Sequence, residues 1–101
     1  MSYSFTNYKK RRIILGGGAF EHISEVHPEV SLEDIRVALN DPDEVRMSSY
    51  KEDSELYYLL KTQRRYICVI VKVCRDGNFI STALTTTKPK SGRVIYRKGG
   101  K

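Results

Sequence analysis

The feature that most constrains this chain is a pair of runs, Tyr66-Ile67-Cys68-Val69-Ile70-Val71-Lys72-Val73 and Phe79-Ile80-Ser81-Thr82-Ala83-Leu84-Thr85-Thr86-Thr87, joined by Arg75-Asp76-Gly77-Asn78. β-Branched residues favour extended backbone, and Asp-Gly between two such runs is a strong local hairpin signal. With Asp76 and Gly77 as a two-residue type I′ loop, Val73 faces Ile80, Val71 faces Thr82, Val69 faces Leu84 and Ile67 faces Thr86. Alternation then gathers Ile67, Val69, Val71, Val73, Ile80 and Leu84 on one face, which can line a core at roughly 1.5 to 3 kcal/mol per fully buried side chain. The other face is mixed, Tyr66, Cys68, Ile70 and Lys72 against Phe79, Ser81, Ala83, Thr85 and Thr87, and is expected to leave Tyr66, Lys72, Ser81 and Thr85 accessible to solvent.

The chain before the hairpin supplies something to cover the apolar face. Phe20, Ile23, Val26 and His27 share one stripe of a helix over residues 19–27, which Pro28 stops. His27 then stands at the helix end on the core side, about 20° from Phe20 around the axis, and His22 points away. Ser31 reads as the N-cap of a second helix ending near Asn40, with Glu33 and Asp34 in the first turn and Leu32, Ile35 and Leu39 inward. Short strands are expected at Glu44–Ser48, Glu55–Leu60 and Arg93–Arg97. Residues 1–18 read as a basic leading segment or short strand closed by a flexible Gly16-Gly17-Gly18 hinge, residues 19–97 as the core and 98–101 as a tail. The expected fold is α+β: one domain, with two N-terminal helices packed on one face of a four-stranded antiparallel sheet and the other face free.

Charge is distributed unevenly. Residues 1–15 carry Lys9, Lys10, Arg11 and Arg12 and no acid; residues 16–55 hold eleven acids against three bases; residues 56–101 hold eleven bases against Asp76 alone. The net +6 therefore conceals a basic sheet half beside an acidic helical half, the footprint of a polyanion on one side. No apolar run is long enough for a membrane helix, and the opening residues lack a signal-peptide pattern, so a cytoplasmic protein without membrane contact is the expectation. Two histidines five residues apart diverge by about 140° on a helix and cannot share a metal there; no metal and no cofactor is expected. Cys68 and Cys74, on one strand, are about 20 Å apart and cannot bridge each other.

Several short motifs resemble the phage-borne nuclease-like domains grouped with barnase, EndoU, the colicin tRNases and RelE. They are Glu21-His22-Ile23, His27-Pro28-Glu29, Asn40-Asp41-Pro42-Asp43, the tyrosine-bearing hairpin, Ser81-Thr82-Ala83-Leu84 and Lys90-Ser91-Gly92-Arg93-Val94-Ile95-Tyr96. The resemblance covers residues 20–97. It implies two helices on a four-stranded antiparallel sheet, metal-independent RNA cleavage with tRNA among the substrates, a toxin or phage-derived effector, and an antitoxin or immunity protein as partner. It carries a helix-end histidine onto His27, a strand threonine onto Thr82, and a phosphate contact onto the loop holding Lys88 and Lys90. Leu84 stands where the family often has an aromatic residue. The hairpin register places Thr82 on the core side, so either a bulge or longer loop turns it outward or its role is structural.

The residues also offer candidates for the chemistry that the resemblance implies. Cutting RNA without a metal needs an acid/base group at the 2′-hydroxyl and leaving oxygen and cations on the phosphate. His27 is the foremost acid/base candidate, with Tyr66 behind it, and Arg46, Arg65, Lys72, Lys88, Lys90 and Arg93 are candidate phosphate clamps. The expected function is that of a metal-independent ribonuclease acting by 2′-hydroxyl transesterification. The alternative is a non-catalytic RNA- or protein-binding module on the same fold, stacking bases on its exposed face.

Overall fold

The computed structural model describes residues 2–49, 53–89 and 92–99. In chain order the elements are β1 Tyr3–Thr6, β2 Arg12–Leu15, α1 Gly17–Val26, α2 Leu32–Asn40, β3 Glu44–Ser48, β4 Ser54–Thr62, β5 Arg65–Cys74, β6 Gly77–Thr86 and β7 Gly92–Arg97. The strands form one sheet in the order β1-β2-β6-β5-β4-β3-β7. All neighbours are antiparallel except β2 and β6, which run parallel with Ile14 beside Phe79.

The fold is α+β, but the sheet is seven-stranded and mixed rather than four-stranded and antiparallel, and two strands precede the helices. β1 and β2 are four residues each, too short to show a long pattern, and their place is set by tertiary contact. Ile13 and Leu15 are fully buried, and Tyr3 packs edge-on against Phe20 at 5.1 Å. The glycine run is no hinge: Gly16 is the N-cap of α1, its carbonyl accepting from Phe20 N at 2.9 Å, and Gly17 and Gly18 lie in the helix. Along α1, Ile23 is buried as expected, whereas Val26 is 53% exposed.

The main hairpin forms with a different register. Cys74 pairs with Gly77, so Arg75 and Asp76 make the loop. Only Gly77 there takes a positive φ, +148°, which suits an ordinary turn with glycine in its last position. A β-bulge follows: Val71 faces Ile80, Ile70 faces Thr82, and Ser81 is the extra residue. Beyond it every β6 side chain changes sides relative to the simple reading. Ala83 and Thr85 face the helices opposite Val69 and Ile67, while Thr82, Leu84 and Thr86 turn to the second face opposite Ile70, Cys68 and Tyr66. Thr85 is therefore not on the second face; Tyr66 and Lys72 are.

One core fills the space between helices and sheet, built from Ile23, Ile35, Ala38 and Leu39 against Ile13, Leu15, Val45, Tyr57, Ile67, Val69, Val71, Ile80 and Ala83. The second face is not simply free. Leu56, Tyr58 and Cys68 are buried there with Tyr66, Ile70 and Leu84 around them. Consecutive Tyr57 and Tyr58 are both fully buried because β4 is covered on both sides.

α2 begins with a reciprocal capping box, Asp34 N donating to Ser31 Oγ and Ser31 N to Asp34 Oδ2. Lys61 Nζ of β4 donates to the same Asp34 carboxylate at 2.8 Å. Burial raises the Asp34 pKa, but the Lys61 ammonium and the Ser31 donors outweigh it and hold the carboxyl below its ordinary value. A depressed carboxyl pKa contributes stability that is complete above the unfolded value, about 4, and is lost as pH falls through the folded value. Asp34→Asn, which keeps the shape of the cap, is expected to destabilise by about 0.5 to 1 kcal/mol at pH 7 and by much less at pH 3, as read by melting at both pH values.

Candidate functional site

α1 ends on His27, whose backbone N–H bonds Ile23 O at 2.7 Å, and the His27 carbonyl then accepts from Val30 N at 3.0 Å. The tight link through Pro28 and Glu29 holds two candidate side chains together. His27 Nδ1 lies 3.6 Å from Glu29 Oε2, a contact that becomes an ion pair on protonation of the imidazole. The same Oε2 accepts from Thr85 Oγ1 at 3.1 Å, which ties the interhelical link to β6. A hydrogen bond from its own backbone N–H, with help from Thr85 and His27, lowers the Glu29 pKa, so its carboxylate stays charged at neutral pH.

Glu29 and Thr85 line a hollow of about 310 Å³ together with Lys61, Thr62 and Arg65. Alternation puts Arg65 on the side of Ile67 and Val69 on β5 and Thr85 on that of Ala83 on β6, while a register shift between Leu60 and Thr62 sets Thr62 opposite Arg65 with Lys61 as the extra residue of β4. Lys61 is fixed by Asp34 and reaches Glu29 O at 3.4 Å. The hollow thus gathers, at one end of the helix-covered face, the Glu29 carboxylate, the Thr85 hydroxyl and two cations from the interhelical link, β6, β4 and β5, and His27 reaches it through its contact with Glu29.

The other sequence-predicted residues are not brought here. Tyr66 and Thr82 lie on the second face, Tyr66 edge-on to Tyr58 at 6.3 Å and Thr82 opposite Ile70, so the sheet separates them from His27. Arg46 is also on that face, its Nε donating to Glu44, and Arg97 Nη2 meets the other Glu44 oxygen at 3.0 Å. Lys72 is exposed opposite Phe79. Arg93 is exposed on β7 beside a hollow of about 330 Å³ shared with Met47, Ser48 and Ser49. Lys88 is exposed, and its carbonyl accepts from Thr86 Oγ1 at 3.1 Å. Lys90 lies outside the described residues.

Sequence reasoning gave no site role to Lys61 or Thr85, and it carried Glu29 only as part of the His27-Pro28-Glu29 motif. A signal existed for two of them: Glu29 follows His27 by two residues across a proline, and Lys61 and Arg65 flank the turn between β4 and β5. Thr85 was hidden by the bulge. His22 is exposed on α1. Among the described residues no group of three or more His, Cys, Asp or Glu side chains could hold a metal ion, and no helix is long and apolar enough to cross a membrane.

The chain matches no family model, no curated protein and no solved structure.

Proposed function

We propose that this protein is a metal-independent RNA endonuclease whose acid/base group is His27, acting in the cytoplasm as a toxin or phage-derived effector. The observation that carries the reading is the His27-Glu29 pair at the margin of a hollow that also holds Lys61 and Arg65. His27 Nε2 takes the proton of the RNA 2′-hydroxyl as the 2′-oxygen bonds to phosphorus, the P–O5′ bond breaks, and the proton passes from Nε2 to the leaving 5′-oxygen. The products are a 2′,3′-cyclic phosphate and a 5′-hydroxyl. Glu29 orients the imidazole through Nδ1 and balances its charge when protonated, Thr85 holds Glu29, and Lys61 and Arg65 face the phosphate. Tyr66 and Thr82 take no part in this step. An antitoxin or immunity protein would act by covering the hollow.

The test is incubation of the purified protein with total RNA or tRNA in EDTA, reading cleavage and the end groups formed. Intact RNA after prolonged incubation would leave the binding-module reading in its place.

Recognition is expected to be electrostatic, because Arg64, Arg65 and Lys88 cluster at this end of the sheet with no acidic partner among the described residues. If about four phosphates are neutralised on a single strand, doubling monovalent salt should weaken binding about sevenfold. Affinity that stays flat across a salt titration would contradict this.

A further inference from the structure

At the far end of the sheet, on the face away from the helices, one aromatic ring stands in the open. Phe79 is 42% exposed, and its ring edge lies 3.5 Å from where a Cβ on Gly77 would stand, so the glycine lets the ring lie down over the strand. Lys72 is directly opposite it on β5, Ile14 is beside it on β2, and Arg12 is on the same side two residues before Ile14. Arg75 is exposed in the adjoining turn. Neither Arg12, Lys72 nor Arg75 makes an ion pair among the described residues.

We infer that this end of the sheet is a platform for single-stranded nucleic acid, one base stacking on Phe79 and the adjacent phosphates meeting Lys72, Arg12 and Arg75. An exposed aromatic ring on a flat sheet, flanked by cations with no acidic partner, is the arrangement that captures an unpaired base; a base inside a duplex has no free face to offer. Phe79 and Thr85 are six residues apart on β6, about 20 Å at the strand rise, and on opposite faces, so the platform and the His27 hollow are separate sites. The inference rests on the RNA reading in assigning a role: the platform holds a single-stranded segment of the polymer whose cleavage is proposed above.

A fluorescent oligodeoxythymidine strand tests it, because stacking tolerates either sugar and the missing 2′-hydroxyl prevents cleavage. Phe79→Ala should weaken binding about tenfold or more, Phe79→Tyr should stay within about threefold of wild type, and the double variant R12A/K72A should lower both the affinity and its salt slope. His27→Ala should leave this binding unchanged, so loss of cleavage and loss of stacking report separately. Equal affinity of Phe79→Ala and wild type would overturn the inference, as would equal affinity for the strand and its duplex with oligodeoxyadenosine. Tighter binding of phosphatidylserine vesicles than of the strand, abolished by Phe79→Ala, would overturn it in favour of a membrane surface.

Discussion

His27→Ala is expected to lower RNA cleavage by 10² or more, about the contribution of one acid/base group, while RNA affinity stays within a few fold. The separation follows from position. The imidazole touches Glu29, whereas the cations that would hold phosphate, Lys61 and Arg65, come from β4 and β5 and do not depend on it. His27 is partly exposed, and its backbone hydrogen bonds to Ile23 and Val30 survive removal of the side chain, so the variant should melt close to wild type. Glu29→Gln should cost less, about tenfold, because an amide can still contact Nδ1 but cannot balance an imidazolium. Cleavage, binding and melting measured on the same proteins discriminate the readings. A binding module shows no turnover in any of them. A purely structural His27 shows activity falling only as the folded fraction falls, and a fully active His27→Ala protein removes the residue from the site.

Much of this arrangement is legible in the residues, and the parts that are not share a cause. α2 spans Leu32–Asn40 behind Ser31, and β3 spans Glu44–Ser48, as cap chemistry and local pattern imply. His27 ends α1 because Pro28 follows it. Local rules act there, and they suffice. They fail where placement depends on distant segments. β1 has an alternating pattern, Tyr3 and Phe5 inward with Ser4 and Thr6 outward, but four residues of it become a strand only because β2 is beside them. The parallel pairing of β2 with β6 joins residues more than sixty apart, and no turn chemistry announces it.

The bulge at Ser81 has the largest consequence for the candidate site. One extra residue exchanged Thr82 for Thr85 on the helix side, and with it which threonine meets Glu29. From the sequence, a bulge and a structural threonine account equally well for Thr82, because neither local pattern nor turn chemistry marks Ser81 as the extra residue. The continuous run Leu56-Tyr57-Tyr58-Leu59-Leu60 did hold a further clue. Without alternation such a strand is buried on both faces, which argued against a bare second face.

Replacing Tyr57 by alanine is expected to destabilise the fold by about 3 to 5 kcal/mol, a large part of the roughly 5 to 15 kcal/mol available to a chain of this size. The ring is completely buried in the main core and packs edge-on to Tyr8 at 6.0 Å. Its hydroxyl accepts from Asn7 Nδ2 at 3.0 Å and donates to Glu55 Oε1 at 2.9 Å. Asn7 is itself buried, and its Oδ1 accepts from Lys9 N and Arg11 N, so this phenol fastens the polar side of the loop between β1 and β2 to the core, beside the packing of Tyr8 on Tyr57 and Tyr96. Tyr57→Phe keeps the ring and removes only the hydroxyl, leaving the Asn7 amide without its acceptor; it should cost about 1 to 3 kcal/mol. The two variants therefore divide packing from hydrogen bonding in a urea titration. Alkali gives an independent reading. Burial pushes the Tyr57 pKa well above its ordinary value, with Glu55 pushing the same way and the Asn7 hydrogen bond opposing. A raised pKa means that the stabilisation of the neutral phenol is complete below about pH 10 and is lost as pH rises above that, where the unfolded chain ionises first. Wild type should lose stability steeply above pH 10. Tyr57→Phe should lose less, with the remainder coming from Tyr8, whose pKa is also raised, by burial first and then by Glu55 and Tyr96. A Tyr57→Phe protein as stable as wild type at pH 7, with the same alkaline slope, would show that the Asn7-Tyr57-Glu55 chain does not hold the loop.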